Sequence, residues 1–318
     1  MSKLAKIIIL SVIVAALCVA LVWGIAIGNR LFLPFGAYFN SDNGGQSVKQ
    51  TEFESDAQGI KNLNLDFVSE QINVVMTNEA KIRIEETSSG KLDEDEIMQC
   101  SVNGDTLLAS SGFHNKVWFS WGNFREIRVT LYLPASYKNN IGLHTVSGEI
   151  SAQDLNATGL KIDTTAGRID ASNMQADTAD VSSISGEITL RNCKAGKIDL
   201  HETSGAIAFS GGTYESVTAH STSGEIMLDA EHMQSIDAGS TSGSVTVSVD
   251  EMPVKIYAGT VSGSVTLKLP ENDGFTLKHS SVSGGMNNDF AMANGVYKNG
   301  QNSVVVGTTS GGVNIIKK

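Results

Sequence analysis

Five residues at a constant interval are the first candidates for chemistry: His144, Asp163, Ser182, His201 and His220 follow one another every 19 positions. Serine, histidine and aspartate in one line are the ingredients of a nucleophilic triad, and His201 with His220 beside Glu202 is the beginning of a metal site. Neither constellation closes. Residues repeated at one interval stack with their side chains pointing the same way, whereas a triad turns its base toward the nucleophile and needs an oxyanion hole beside it. A metal site needs further ligands, and no third ligand column repeats with the two histidines. Asp180 and Asp199 are adjacent carboxylates in another column, but they lack the basic cluster or facing carboxylate that a polysaccharide lyase or hydrolase uses. The nine-residue Gly-Gly-x-Gly-x-Asp calcium repeat is absent. The column is therefore expected to be a solvated outward face, with no catalytic residue, no cofactor and no metal, in a protein that is not an enzyme. A second candidate is the aromatic segment from Phe113 to Phe124. It either closes the apolar end of a repeat array or offers Trp118, Phe119, Trp121 and Phe124 as a platform for sugar rings or a protein partner.

The elements that must position these residues are announced by glycine. In TVSG, TTAG, SISG, ETSG, STSG and STSG the glycines are Gly148, Gly167, Gly186, Gly205, Gly224 and Gly243, each 19 residues after the last. The interval then grows to 20 at Gly263, 21 at Gly284 and 27 at Gly311, as loops lengthen toward the end of an array. Two and four residues after each glycine stand apolar pairs such as Ile150 with Ala152 and Ile188 with Leu190. A second pair, such as Leu160 with Ile162, precedes the next glycine. Alternation with a period of two makes both pairs faces of short strands. Nineteen residues leave no room for a helical hairpin, so the spacing predicts an all-β fold, a parallel β-solenoid with one coil per repeat and coils about 4.8 Å apart. The glycine falls on the inward parity. It marks either a corner with positive φ or a place where another wall comes too close for a Cβ, and the sequence leaves both open.

Upstream, the residues from Ile7 to Ile27 form a run of 21 without a charge, between Lys3 and Lys6 on one side and Arg30 on the other. At about 1.5 Å per residue such a helix matches a bilayer's hydrocarbon core of roughly 30 Å. A cleaved signal peptide has a shorter apolar region and a small-x-small site, which Ala26-Ile27-Gly28 matches poorly. Leu17 before Cys18 fits a lipidation motif badly. The expectation is an uncleaved signal-anchor with its N-terminus in the cytoplasm and the bulk of the chain extracytoplasmic. This divides the chain into an anchor (1–30), a juxtamembrane segment and linker (31–50), a strand-rich part that caps the solenoid (51–143) and the repeat solenoid (144–318). Of the 318 residues, 32 are glycine and only 4 proline, consistent with stacked coils in which proline would delete a ladder donor. The net charge is −11, and because 1–30 carries three basic residues and no acidic one, the remainder carries −14. Nucleic acid is excluded as a partner, since affinity for its backbone comes from Lys and Arg.

The strand-rich start GIKNLNLDFVSEQINVV, the step IRVTLYLPASYKNNIGLHTVSGEI and the repeated T-x-S-G-x-[IV] resemble the bacterial putative adhesin family of β-strand-repeat domains, which includes the LiaG-like cell-envelope proteins. The resemblance covers roughly residues 50–318. It implies a membrane-tethered envelope protein with a role in adhesion or envelope stress, and it supplies no catalytic residues. The functional expectation is a non-catalytic adhesion, scaffolding or binding surface whose partners are the membrane and an envelope glycan or another envelope protein. A regulatory accessory of an envelope-stress sensor is the alternative, and a carbohydrate-active β-helix enzyme comes third.

Overall fold

The computed structural model describes residues 47–112 and 125–318. The apolar run 7–27 and the aromatic residues Trp118, Phe119, Trp121 and Phe124 lie outside them. Among the described residues the regular elements are strands, arranged in two 13-stranded, mostly parallel sheets, and no helix is long and apolar enough to cross a membrane.

Each repeat contributes one strand to each sheet. In the first sheet Ile150–Gln153, Ile169–Ser172, Ile188–Arg191, Ile207–Ser210 and Ile226–Ala230 pair in parallel at an offset of 19. In the second sheet Asn140–Thr145, Asn156–Thr164, Gln175–Ser183, Lys194–Glu202 and Thr213–Ser221 do the same. The apolar pairs turn inward from both sheets: Ile150, Ile169, Ile188 and Ile207 are fully buried, and Ile162, Val181 and Leu200 meet them from the opposite side. One contiguous apolar core results, thin enough that each coil supplies only a handful of side chains to it.

Two corners close each coil. At the first, the residue that opens the tetrapeptide, such as Thr145, Thr164, Ser183, Ser221 or Ser240, turns inward, and its side-chain oxygen accepts a hydrogen bond from the backbone N–H of the glycine three positions on, at 2.7–3.1 Å. The hydroxyl in turn donates to the corner carbonyl one coil below, as Ser240 does to Gly224 (3.1 Å) and Thr260 to Gly243 (2.8 Å). The glycine is required by close approach: a Cβ at Gly167, Gly186, Gly224 or Gly243 would overlap the carbonyl oxygen of the glycine one coil below. It is therefore the adjacent coil, and not a facing wall, that excludes the side chain. A positive φ contributes at Gly284 (149°) and Gly311 (156°). The second corner turns on Asp154, Asn173, Asn192 and Gly211, also 19 apart, with φ of 59°, 53°, 52° and 70°. Aspartate, asparagine and glycine enter that left-handed region at the least cost, and Asn173 Nδ2 donates to Asp154 Oδ1 one coil below (2.9 Å).

At both ends the coils leave chain order. The strands Asn62–Phe67 and Gln71–Thr77 lie directly against the first repeat, while Thr106–Ser110 and Ile127–Pro134, later in the chain, pair on their outer side. At the other end Asn302–Ser310 and Val313–Lys317 stack on Lys255–Thr260 and Val265–Leu269, and the earlier strands Gly274–Ser283 and Met286–Asn288 form the outermost coil. This corrects the serial array expected from the lengthening interval: Gly311 sits next to Gly263, and Gly284 comes last. The long 284–311 interval contains the closure of that end, where Phe275, Phe290 and Tyr297 pack edge-on or tilted with centroids 4.9–5.6 Å apart. Glu271 ties the rim together by accepting from Lys298, Lys317 and the Tyr297 hydroxyl, and these donors hold its carboxyl down at about 2.

The two kinds of glycine in this frame behave oppositely on substitution. Gly186→Ala forces a backbone carbonyl aside and is expected to cost ~3 kcal/mol or more. Gly259→Ala places its Cβ on an outward column with nothing nearer than 3.5 Å, and is expected to stabilise by ~0.5 kcal/mol. Urea unfolding of the full-length chain separates the two, and equal losses at both positions would contradict the close-approach explanation.

Candidate functional site

The outward column of the second sheet brings the spaced candidates together. Asp66, His144, Asp163, Ser182, His201, His220, Gly239, Gly259 and Gly307 occupy successive rungs. His144 Nδ1 lies 3.1 Å from Asp163 Oδ1, and its Nε2 is 3.8 Å from Asp66 Oδ1. The rings of His201 and His220 stack 6.2 Å apart and 17° from parallel, and His220 Nε2 lies 3.8 Å from Asp237 Oδ1. The imidazoles thus follow the ladder, as expected of side chains stacked in one direction. Among the described residues no group of three or more His, Cys, Asp or Glu side chains is arranged to hold a metal.

Beside this column runs a groove. A first depression of about 640 Å³ on the sheet face, lined by Asn64, Gly142 and Lys161, meets it at His144 and Asp163, and two more of about 480 and 660 Å³ lie end to end along it, sharing His220 and Ser221. One wall is the outward column; the other is the row of turn tips Thr165, Ile184, Thr203, Thr222, Thr241 and Val261. The inward hydroxyls of the first corner make the bottom. Ile184 and Val261 are exposed at the rim, as is Val282 at the far end. Where the column changes from histidine to glycine the wall falls away, and the half-exposed ring of Tyr257 stands over the gap.

One rung breaks the corner pattern. Glu202 occupies the place that serine or threonine holds in the other repeats, and it is only 5% exposed. Its Oε1 accepts from the backbone N–H groups of Ser204 (3.0 Å) and Gly205, while Oε2 is sealed from water with no hydrogen-bond partner. Burial pushes its carboxyl above the usual range, and the N–H groups of Gly205, Ser204 and Thr203 with the Ser183 hydroxyl oppose the shift without cancelling it. Asp199, near the histidine stack, goes the other way: partial burial is outweighed by the Lys197 ammonium and the Thr218 hydroxyl, which lower it. Cys100, in the wall of the first depression, has its thiol pushed up to about 12 by burial and by the Glu86 carboxylate. It is a protonated thiol at neutral pH, unsuited to act as a nucleophile.

Of the residues singled out in the sequence, the histidine column lines the groove and the corner glycines hold the coils that form it. The four aromatic platform residues lie outside the described residues. Tyr257, the glycine end of the column and the anomaly at Glu202 escaped the sequence reading, although a glutamate heading ETSG among TVSG and STSG was a visible signal for the last.

The fold defines a class: an all-β repeat protein of mostly parallel coils, carrying an elongated side-chain groove on one sheet. The chain belongs to the Toastrack DUF4097 family, whose model matches residues 60–258, and this supports the resemblance to the putative adhesin family of β-repeat domains. Solved structures share the architecture. A putative lipid binding protein from Parabacteroides distasonis is 14% identical with a TM-score of 0.52, covering 84% of this chain and 96% of that one. Putative adhesins from Parabacteroides merdae (15% identity, TM-score 0.48, 84% of this chain and 95% of that one) and Bacteroides fragilis (16%, 0.44, 84% and 96%) are similar as well. No curated protein sequence matches the chain.

Glu202→Ser restores the corner hydroxyl and tests the buried carboxyl. A carboxyl whose pKa is raised by folding favours the folded state below its unfolded value near 4.5 and loses that contribution as pH rises through the raised value. The variant is therefore expected to be more stable than the parent by ~1–3 kcal/mol at pH 7.5 and by much less at pH 4. Urea unfolding at both pH values checks this, and a gain that does not change with pH would contradict it.

Proposed function

We propose that this protein is a non-catalytic binding surface of the bacterial cell envelope, tethered to the membrane by residues 7–27 and presenting its coils outside the cell. The observation that carries the reading is the pairing of an uncharged run of membrane-spanning length with a rod whose outward columns vary while the glycines of its first corner do not. A rigid frame with variable outward side chains is suited to recognition, because ordering is complete before a partner arrives. The acidic balance of the chain beyond residue 30 makes cationic or uncharged partners favourable and anionic phospholipid unfavourable. A protein of the same fold described as lipid-binding is consistent with a binding role and assigns no ligand.

The test is an anchor exchange. Cells carrying the full-length chain are expected to expose residues 31–318 to added protease and to bind purified envelope material. Replacing residues 1–30 by an unrelated single-span anchor is expected to leave that binding intact. Protection from external protease would remove the envelope reading. Loss of function on anchor exchange would favour a regulatory accessory that works through contacts within the membrane, and release of a product from envelope polymer would favour an enzyme.

A further inference from the structure

The groove beside the histidine column runs over several rungs and is lined by a restricted chemistry, and its occupant can be argued from that lining. The walls are faces and turns of sheets whose backbone groups are already paired from coil to coil. An extended peptide recognised by strand addition needs an unpaired edge, which the rungs from Ser182 to Gly259 do not offer. A lipid chain would cover hydroxyls, imidazoles and carboxylates without satisfying them, at a cost for each group left unpaired. The charged groups in the lining are Asp66, Asp163 and Glu202 against Lys161, so an anionic polymer is disfavoured along its length. The remaining chemistry is that of a polyol. Serine and threonine hydroxyls, histidine nitrogens and carboxylate oxygens both donate and accept, while Tyr257, the stacked His201 and His220 rings, and rim Val261 offer flat or apolar surface to the C–H faces of sugar rings.

We propose that this groove binds an extended, uncharged glycan laid along the axis of the coils, with its deepest subsite beside Tyr257 over Gly259. The proposal rests on the binding-surface reading above and names its ligand class and site. It also accounts for glycine on a strand position where the fold accepts alanine: the nearest heavy atom to a Cβ at Gly259 is the Gly307 carbonyl oxygen at 3.5 Å, followed by Tyr257 Oη at 3.8 Å. The space a methyl group would fill is the space under the tyrosine ring.

The test uses the full-length chain in detergent and isothermal titration with β-1,4-linked hexamers and dimers of glucose and of N-acetylglucosamine, with polygalacturonate as the anionic comparison. At least one hexamer is expected to bind more tightly than its dimer, and polygalacturonate more weakly than that hexamer. Tyr257→Ala and Gly259→Ala are each expected to weaken the hexamer roughly tenfold, the second without any fall in melting temperature. Hexamer affinity unchanged in both variants would overturn the site, and tighter binding of polygalacturonate would overturn the ligand class. If neither hexamer binds at millimolar concentration while whole envelope material does, the glycan proposal falls and the binding-surface reading stands. If envelope material does not bind either, both fall.

Discussion

The packing of one glycine against the carbonyl oxygen of the glycine a coil below sets the geometry on which the rest of this molecule depends. Backbones can approach this closely only where no Cβ intervenes, and the side chain three residues earlier fixes the contact by accepting from the glycine N–H. Repeated coil after coil, this contact sets both the distance between coils and their register. A slip by one residue would turn the apolar columns outward and at the same time drive a side chain into a carbonyl. The two penalties act together, so the sheets inherit their alignment from the corner as much as from their own ladders.

With register fixed at the corners, the outward columns are released from structural duty. The column that reads histidine, aspartate, serine, histidine, histidine and then glycine shows how far such positions vary along a single line, while the inward residue before each keeps to isoleucine, leucine, valine and alanine and the one after it is the serine or threonine of the corner. Glu202 is the exception that crosses from one set to the other. It performs the corner's hydrogen-bonding task with one oxygen, and the other oxygen is an expense that the serine- and threonine-headed corners avoid. Polar groups left unsatisfied in a protein interior are uncommon, and this one sits where the groove is bounded by His201 of the same strand and His220 of the next.

Much of this was legible in the sequence because a repeat makes every position its own control. The 19-residue interval, the inward pairs, the outward parity of His144 to His220 and the parallel stacking all follow from comparing a coil with its neighbours. The second corner was equally available in Asp154, Asn173, Asn192 and Gly211, yet its signal is carried by conformation and not by residue type, so three kinds of residue hide one backbone state. Chain order failed at the ends for a different reason. Periodicity says which residues are equivalent and is silent on which coils are neighbours, so Gly311 could not be placed next to Gly263 without the ladder itself. The groove was half visible: its histidines and Gly239 share the interval, but Gly259 and Tyr257 lie where the spacing has lengthened to 20, and a surface depression has no periodicity of its own.

The exchanged order of the terminal coils has a mechanical meaning. In a stack that follows chain order, the last coil hangs from a single ladder and can peel away when its end is pulled. Here the last strand, Val313–Lys317, is gripped between Val265–Leu269 and Met286–Asn288, and the outermost coil is an internal segment held by the chain at both of its ends. A pull on Lys318 therefore loads two ladders side by side along their length, in shear, before any coil comes free. Such a rod resists unzipping from its tip and yields, when it yields, several strands at once.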